Sequence, residues 1–139
     1  FTVAGAEQRN GHPHIVFTGI IRDPGAMSAL YSDHDLFVLT STREGHCLVV
    51  TEAMAQGLVV ISTPVGDVPG RVGRSTGVLT STIDEANVLQ EAVDAIIALD
   101  GDRARMRLMK GAALARIRSM FAPEEFRRFY RELLTRPTS

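Results

Sequence analysis

Apolar positions along the chain fall into short β-rich runs separated by stretches of helical spacing. Runs at residues 2–4, 15–18, 36–39, 59–62 and 77–79 predict strands. The run Leu36-Phe37-Val38-Leu39 is apolar without alternation, the pattern of a strand covered on both faces of a parallel sheet. Helices are expected between these runs, at residues 24–31 and 47–56. This β-α-β-α rhythm predicts an α/β fold, a Rossmann-like doubly wound parallel sheet.

After Leu79 the apolar period becomes helical. Asp84 suits the cap of a helix over residues 85–99, with Ala86, Leu89, Val93, Ile96 and Ile97 as its expected apolar face. Asp100-Gly101-Asp102 is expected to break that helix and start the next. Met106, Met109, Ala113, Ile117 and Met120 then recur at helical spacing, as core contacts do. Pro123 fits the first turn of a final helix carrying Phe126, Phe129, Tyr130 and Leu133. Residues 101–139 thus form a helical tail to the domain.

Length and composition narrow the class. At 139 residues the chain has the size of one domain. No apolar run reaches the roughly 18 residues of a membrane span, and no basic-then-apolar leader opens the chain. The single cysteine, Cys47, can form no internal disulfide, which suits a reducing, cytoplasmic setting. The net charge of −1 conceals an asymmetry. Residues 1–100 hold five Arg against twelve acids, whereas residues 101–139 hold ten Lys/Arg against four acids. The basic tail is either a set of solvated helix faces or a surface for an acidic partner or a membrane, touched peripherally.

The chemistry concentrates between Glu44 and Gly57. This segment follows the strand Leu36–Leu39, at the carboxyl end of which an open α/β sheet binds its ligands. The helix from about Cys47 is apolar or small at Leu48, Val49, Val50, Ala53, Met54 and Ala55, the pattern of a helix buried nearly all round. Glu52 is its only charge, and a buried carboxylate needs a partner. That partner is either an internal cation or backbone group, or the diol of a bound ribose. Glu44 stands eight residues earlier, before the helix. Between the two lies a helix N-terminus, whose free N–H groups and partial positive charge suit a diphosphate. Gly45 lets the backbone approach a ligand closely.

Glu44-Gly45, Leu48-Val49, Glu52-Ala53-Met54-Ala55, Gly57 and Val60-Ile61 together resemble the E-x7-E signature of retaining GT-B glycosyltransferases, especially family 4. Further blocks follow the family order. These are Val16-Phe17-Thr18-Gly19, then Tyr31 with Asp35 to Leu39, then Thr63, Val65-Gly66 and Pro69, then Gly77-Val78-Leu79. The resemblance implies most of a C-terminal nucleotide-sugar-binding domain. It implies that Glu44, the candidate catalytic residue, holds hydroxyls of the transferred sugar, and that Glu52 holds the ribose. Gly45, His46, Cys47, Leu48 and Val49 would meet sugar and diphosphate through their amides, and Gly19 would lie near the base. The nucleotide-diphosphate sugar is then a substrate; no metal and no other cofactor is implied.

The chain also departs from that pattern. The family's domain opens with a strand and helix that supply an Arg and a Lys to clamp the diphosphate, whereas Phe1 to Gly5 resembles the second strand. The strands at Thr2 and Leu36 are therefore expected to lack their common neighbour. The acceptor would be bound by an N-terminal domain that this chain does not contain, so the isolated chain is expected to be inactive. Val59 replaces a usual proline, Asp67 a usual second glycine and Gly70 a frequent glutamate.

Other readings are weaker. Asp33-His34-Asp35 precedes a strand rather than ending one, which is the wrong edge for a metal-binding D-x-D motif. His12, His14, His34 and His46 lack metal-ligand spacing. His46 is either a sugar contact or a solvated loop histidine. Ser41 and Cys47 have no apparent His/Asp partners, and Gly66, Gly70, Gly73 and Gly77 do not form a dinucleotide fingerprint. Arginine-aromatic interleaving for nucleic acid is missing, so no nucleic-acid partner is expected. A non-catalytic nucleotide-binding or interaction module on the same fold is the competing reading, because fold does not fix function.

Overall fold

The computed structural model describes residues 1–6, 11–124, 127, 128 and 131. It divides into two compact units, Phe1–His34 and Asp35–Ser139.

The first unit contains strands β1 (Thr2–Ala4) and β2 (Val16–Gly19) and helix α1 (Pro24–Ser32). The strands pair in parallel, Thr2 opposite Val16 and Val3 opposite Phe17, with an irregularity before Ala4. Helix α1 starts where the Asp23 carboxylate accepts from the Ala26 N–H at 2.6 Å and Pro24 supplies the first turn. His34, just beyond α1, spans from the Leu30 carbonyl (2.7 Å) to the Thr2 hydroxyl (2.9 Å), tying the helix end to β1. Gly19 closes β2 in the left-handed region, at φ +65°.

The second unit holds a three-stranded parallel sheet ordered β3-β4-β5, formed by Leu36–Leu39, Val59–Ser62 and Gly77–Leu79. Parallel neighbours need crossovers. Helix α2 (Leu48–Ala55) connects β3 to β4, and a loop bearing the short helix α3 (Val68–Arg71) leads to β5.

β4 is the central strand, and all four of its residues are buried. β3, predicted to be covered on both faces, is only partly so, with Val38 exposed. The reason is position: β3 is an edge of its sheet, with β4 on one side only.

The core joins Val59 and Ile61 of β4 to helices α4 (Glu85–Gly101) and α5 (Arg103–Met120) through Ala92, Leu99, Met106 and Met109. Each large side chain buried here stabilises the fold by roughly 1.5–3 kcal/mol. α4 rests on Val88, Ala92 and Leu99, with Ala95 and Ile96 partly covered. This corrects the predicted face: Leu89, Val93 and Ile97 are exposed. α4 is apolar on two adjoining ladders, and its contacts with β4 and α5 fall on the other one. On α5 the predicted stripe is buried at Met106, Met109, Ala113 and Ile117, while Met120 is exposed. α5 packs on α2, α4 and β4, so it belongs to this core.

The predicted break at residues 100–102 is narrower than expected. α4 runs through Gly101, and the Asp102 carboxylate caps α5 by accepting from the Arg105 N–H at 2.9 Å. Phe126, Phe129, Tyr130 and Leu133, assigned to a final helix, lie outside the described residues. Among the described residues, no helix is long and apolar enough to cross a membrane.

Candidate functional site

β3 ends at Leu39, and the loop that follows carries Glu44, Gly45 and His46 on its exposed surface before α2 begins. A second loop, after β4, holds the first in place. The Thr63 N–H donates to the Leu39 carbonyl (3.1 Å), and the Thr63 hydroxyl to the Ser41 carbonyl (2.5 Å). The Asp67 N–H donates to the Gly45 carbonyl at 3.2 Å. Gly66, at φ +54°, presses against the carbonyls of Glu44 and Gly45, where a side chain would collide.

Helix α2 is not buried all round, contrary to the apolar reading of its sequence. Val50, Ala53 and Met54 are buried, whereas Leu48, Val49, Glu52 and Ala55 are exposed. α2 is packed by α5 and β4, which cover one side of the helix. Glu52 is therefore a solvent-facing carboxylate, and the argument from a buried charge falls. It lies on the open face, four residues beyond Leu48. Glu44 lies beyond the other end of that face, in the loop that precedes Cys47.

Cys47 marks the start of α2 and is buried. Burial raises its thiol pKa, and the Glu44 carboxylate raises it further. The thiol stays protonated and is a poor nucleophile. The Cys47 N–H donates to Asp67 Oδ1 at 3.1 Å, and the Leu48 N–H to the His46 carbonyl at 3.0 Å. Two of the amides assigned to the donor are thus engaged within the protein.

A cation missed by the sequence reading lies beneath this helix start. Arg71, counted there only as a charge, is 4% exposed. Its Nη1 donates to the Cys47 carbonyl (2.8 Å) and the Thr51 hydroxyl (2.9 Å), and its Nη2 pairs with Asp67. The His46 ring joins the cluster, with Nδ1 at 2.7 Å from Arg71 Nη2 and against Asp67. Desolvation opposes ionisation of Asp67, but the Cys47 N–H, Arg71 and His46 outweigh it and hold the carboxyl below its ordinary range. The available signal was local: Asp67 stands where glycine is usual, and Arg71 follows four residues later, one turn along a helix.

Asp33, His34 and Asp35 do not converge. Asp33 ends α1, His34 is bonded to Leu30 and Thr2, and Asp35 pairs with Lys110 (2.7 Å) and Arg103 (2.9 Å). Among the described residues, no three His, Cys, Asp or Glu side chains gather as metal ligands do. Gly19 belongs to the first unit and residues 44–52 to the second.

A parallel α/β sheet, with a glycine-bearing loop and a helix N-terminus after one of its strands and a carboxylate on each side, defines a Rossmann-like domain of the kind found in the C-terminal half of GT-B glycosyltransferases. Residues 2–99 match the family described as glycosyl transferases group 1, and the chain belongs to that family. It is 30% identical to the lipopolysaccharide core biosynthesis mannosyltransferase LpsB of Rhizobium meliloti, over 81% of this chain and 36% of that protein. Among solved structures, sucrose-phosphate synthase from Thermosynechococcus elongatus aligns with a TM-score of 0.71 at 30% identity, over 86% of this chain and 30% of the other. HepE of Anabaena, solved in complex with UDP, shares the fold with a TM-score of 0.71 at 24% identity, over 87% of this chain and 32% of its own. The chain thus spans about a third of the length of these relatives.

Proposed function

We propose that the open surface from Glu44 to Glu52 binds a nucleotide-diphosphate sugar, and that the protein of which this domain is a part transfers the glycosyl group with retention of anomeric configuration. The observation that carries this reading is Gly45. It is exposed, its φ is not left-handed, and a side chain there would meet nothing within 4 Å. Neither packing nor backbone conformation requires a glycine at this position. Close approach of a ligand to the backbone accounts for one in this reading.

The donor lies along α2 in this reading. Glu44 accepts from hydroxyls of the transferred sugar, and Glu52 from the ribose diol. The amides of Gly45, His46 and Val49 donate to no protein acceptor among the described residues. They are the ones left to meet the sugar and diphosphate, supported by the partial positive charge of the helix start. Transfer proceeds on the front face of the sugar. The bond from anomeric carbon to phosphate oxygen breaks as the acceptor oxygen bonds to the same face, and the departing phosphate takes the acceptor's proton. No protein carboxylate needs to become covalently attached. The partial positive charge at the start of α2 stabilises the leaving diphosphate without a metal. HepE has been solved with UDP and with UDP-glucose, which makes UDP the natural probe.

Calorimetric titration with UDP tests the assignment. A hydrogen bond to a charged group contributes about 1.5–3 kcal/mol, so Glu52→Ala weakens binding at least roughly tenfold. Glu85→Ala, on the surface of α4, leaves it unchanged. Equal effects of the two substitutions would overturn the site. A non-catalytic nucleotide-binding module would bind UDP in the same way but show no transfer in the full-length protein.

A further inference from the structure

Helix α5 carries six cations, Arg103, Arg105, Arg107, Lys110, Arg116 and Arg118, and not one acid within its 18 residues. Its inner side is occupied by Met106, Met109, Ala113 and Ile117. At about 100° per residue, the side directly opposite presents Ala104, Leu108, Gly111 and Ala115. All four are exposed, Leu108 by 76%. Two columns of arginine flank this strip, Arg107 with Arg118 on one side and Arg105 with Arg116 on the other. Members of each column are eleven residues apart, about 16 Å along the axis.

Within the protein these cations are used unevenly. Arg103 and Lys110 pair with Asp35, and Arg116 donates to the Gly70 carbonyl at 2.7 Å. Arg105, Arg107 and Arg118 have no acidic partner among the described residues. A face built only for solvation intersperses acids at i±4, which stabilise a helix; α5 instead sets Arg103 and Arg107 four apart, which costs it.

We propose that the outer face of α5 is a docking surface for an anionic lipid bilayer. The face is convex, with small residues at its centre, so arginine stems can lie across it and guanidinium groups reach headgroup phosphates on both sides. Leu108 enters the interface between the two columns. The chain as a whole is nearly neutral, and its excess acids lie in residues 1–100. Bulk charge therefore does not attract it to an anionic surface; the local run of cations on α5 does. A shaped acidic protein partner is less suited, because Ala104, Gly111 and Ala115 give it little to interlock with between the arginine columns. The proposal is independent of the donor site.

Sedimentation of the chain with vesicles tests it. The chain binds vesicles containing phosphatidylglycerol at low salt, does not bind pure phosphatidylcholine, and is released as salt rises. Each Arg near an anionic surface contributes about fivefold, so replacing Arg105, Arg107 and Arg118 together by Gln weakens binding roughly 100-fold. Leu108→Asp weakens it as well. A charge-matched variant with Arg22, Arg43 and Arg74 replaced by Gln retains most of the binding. All these positions are exposed, and far-ultraviolet circular dichroism checks that the helices persist. Wild-type binding by the α5 variant, or equal loss in the charge-matched control, would overturn the proposal. Arginine-dependent capture of soluble polyglutamate with no binding to phosphatidylglycerol vesicles would overturn it in favour of an acidic protein partner.

Discussion

Replacing Gly66 by Ala probes the way the two site loops are braced against each other. At φ +54° an L-residue pays about 1–2 kcal/mol for the left-handed conformation. Its Cβ would also enter the space of the Gly45 carbonyl and come to 2.7 Å from that of Glu44. These are backbone atoms that cannot rotate away, and overpacking of this kind costs about 1–3 kcal/mol. The sum is roughly 2–5 kcal/mol, part of it relieved if the Glu44–Gly45 loop moves. Gly57→Ala supplies the control. Gly57 has φ +78°, but a Cβ there meets nothing within 4 Å, so it bears the backbone cost alone. Urea unfolding read by circular dichroism gives the stability difference, and calorimetry with UDP gives the effect on the site. Gly66→Ala is expected to be the less stable by about 1–3 kcal/mol and to bind UDP at least roughly tenfold more weakly, since a displacement on the order of 1 Å disrupts such a site. Gly57→Ala leaves UDP affinity unchanged. Equal stability and equal affinity in the two variants would refute the bracing.

Three further outcomes follow from the same geometry. Arg71→Met removes the buried guanidinium from Cys47, Thr51 and Asp67 and is expected to lower stability by about 2–4 kcal/mol in urea unfolding; Arg71→Lys recovers only part, because one ammonium does not span the acceptors that the planar fork reaches. Asp35 is held below the ordinary aspartate range by its hydrogen bond from Lys110, with burial opposing and Arg103 assisting. A depressed folded pKa stabilises the fold above the unfolded value of about 4 and ceases to do so as pH falls through the folded value, so Asp35→Asn reduces the loss of stability on acid titration across that window. Cys47, buried and with a raised pKa, reacts slowly with a disulfide reagent at pH 8 in the native chain and rapidly in denaturant.

Much of the architecture was legible from sequence, because short β-rich runs and cap residues act locally. Four strands, at residues 2–4, 36–39, 59–62 and 77–79, have the predicted bounds, and Asp84 and Asp102 cap α4 and α5. Faces were less legible than elements. On α4 both Leu89-Val93-Ile97 and Val88-Ala92-Leu99 are acceptable apolar ladders, and only the position of β4 and α5 decides between them. The same holds for α2, where Leu48 and Val49 read as core but are uncovered. α3 went unpredicted because four residues including a proline and a glycine carry no period. The Asp67–Arg71–His46 cluster was hidden by distance along the chain: Arg71 meets His46 across 25 residues, and only the fold brings them together. Glu44, Gly45 and Glu52, proposed above as donor contacts, were singled out by their spacing around a helix start, which is a local signal.

The most direct test of the donor site is an amide-resolved NMR titration of the chain with UDP. The account predicts saturable shifts at Gly45, His46, Val49 and Glu52, lost in Glu52→Ala while the rest of the spectrum is retained. Shifts confined to other surfaces, or unchanged shifts in the Glu52→Ala chain, would contradict it.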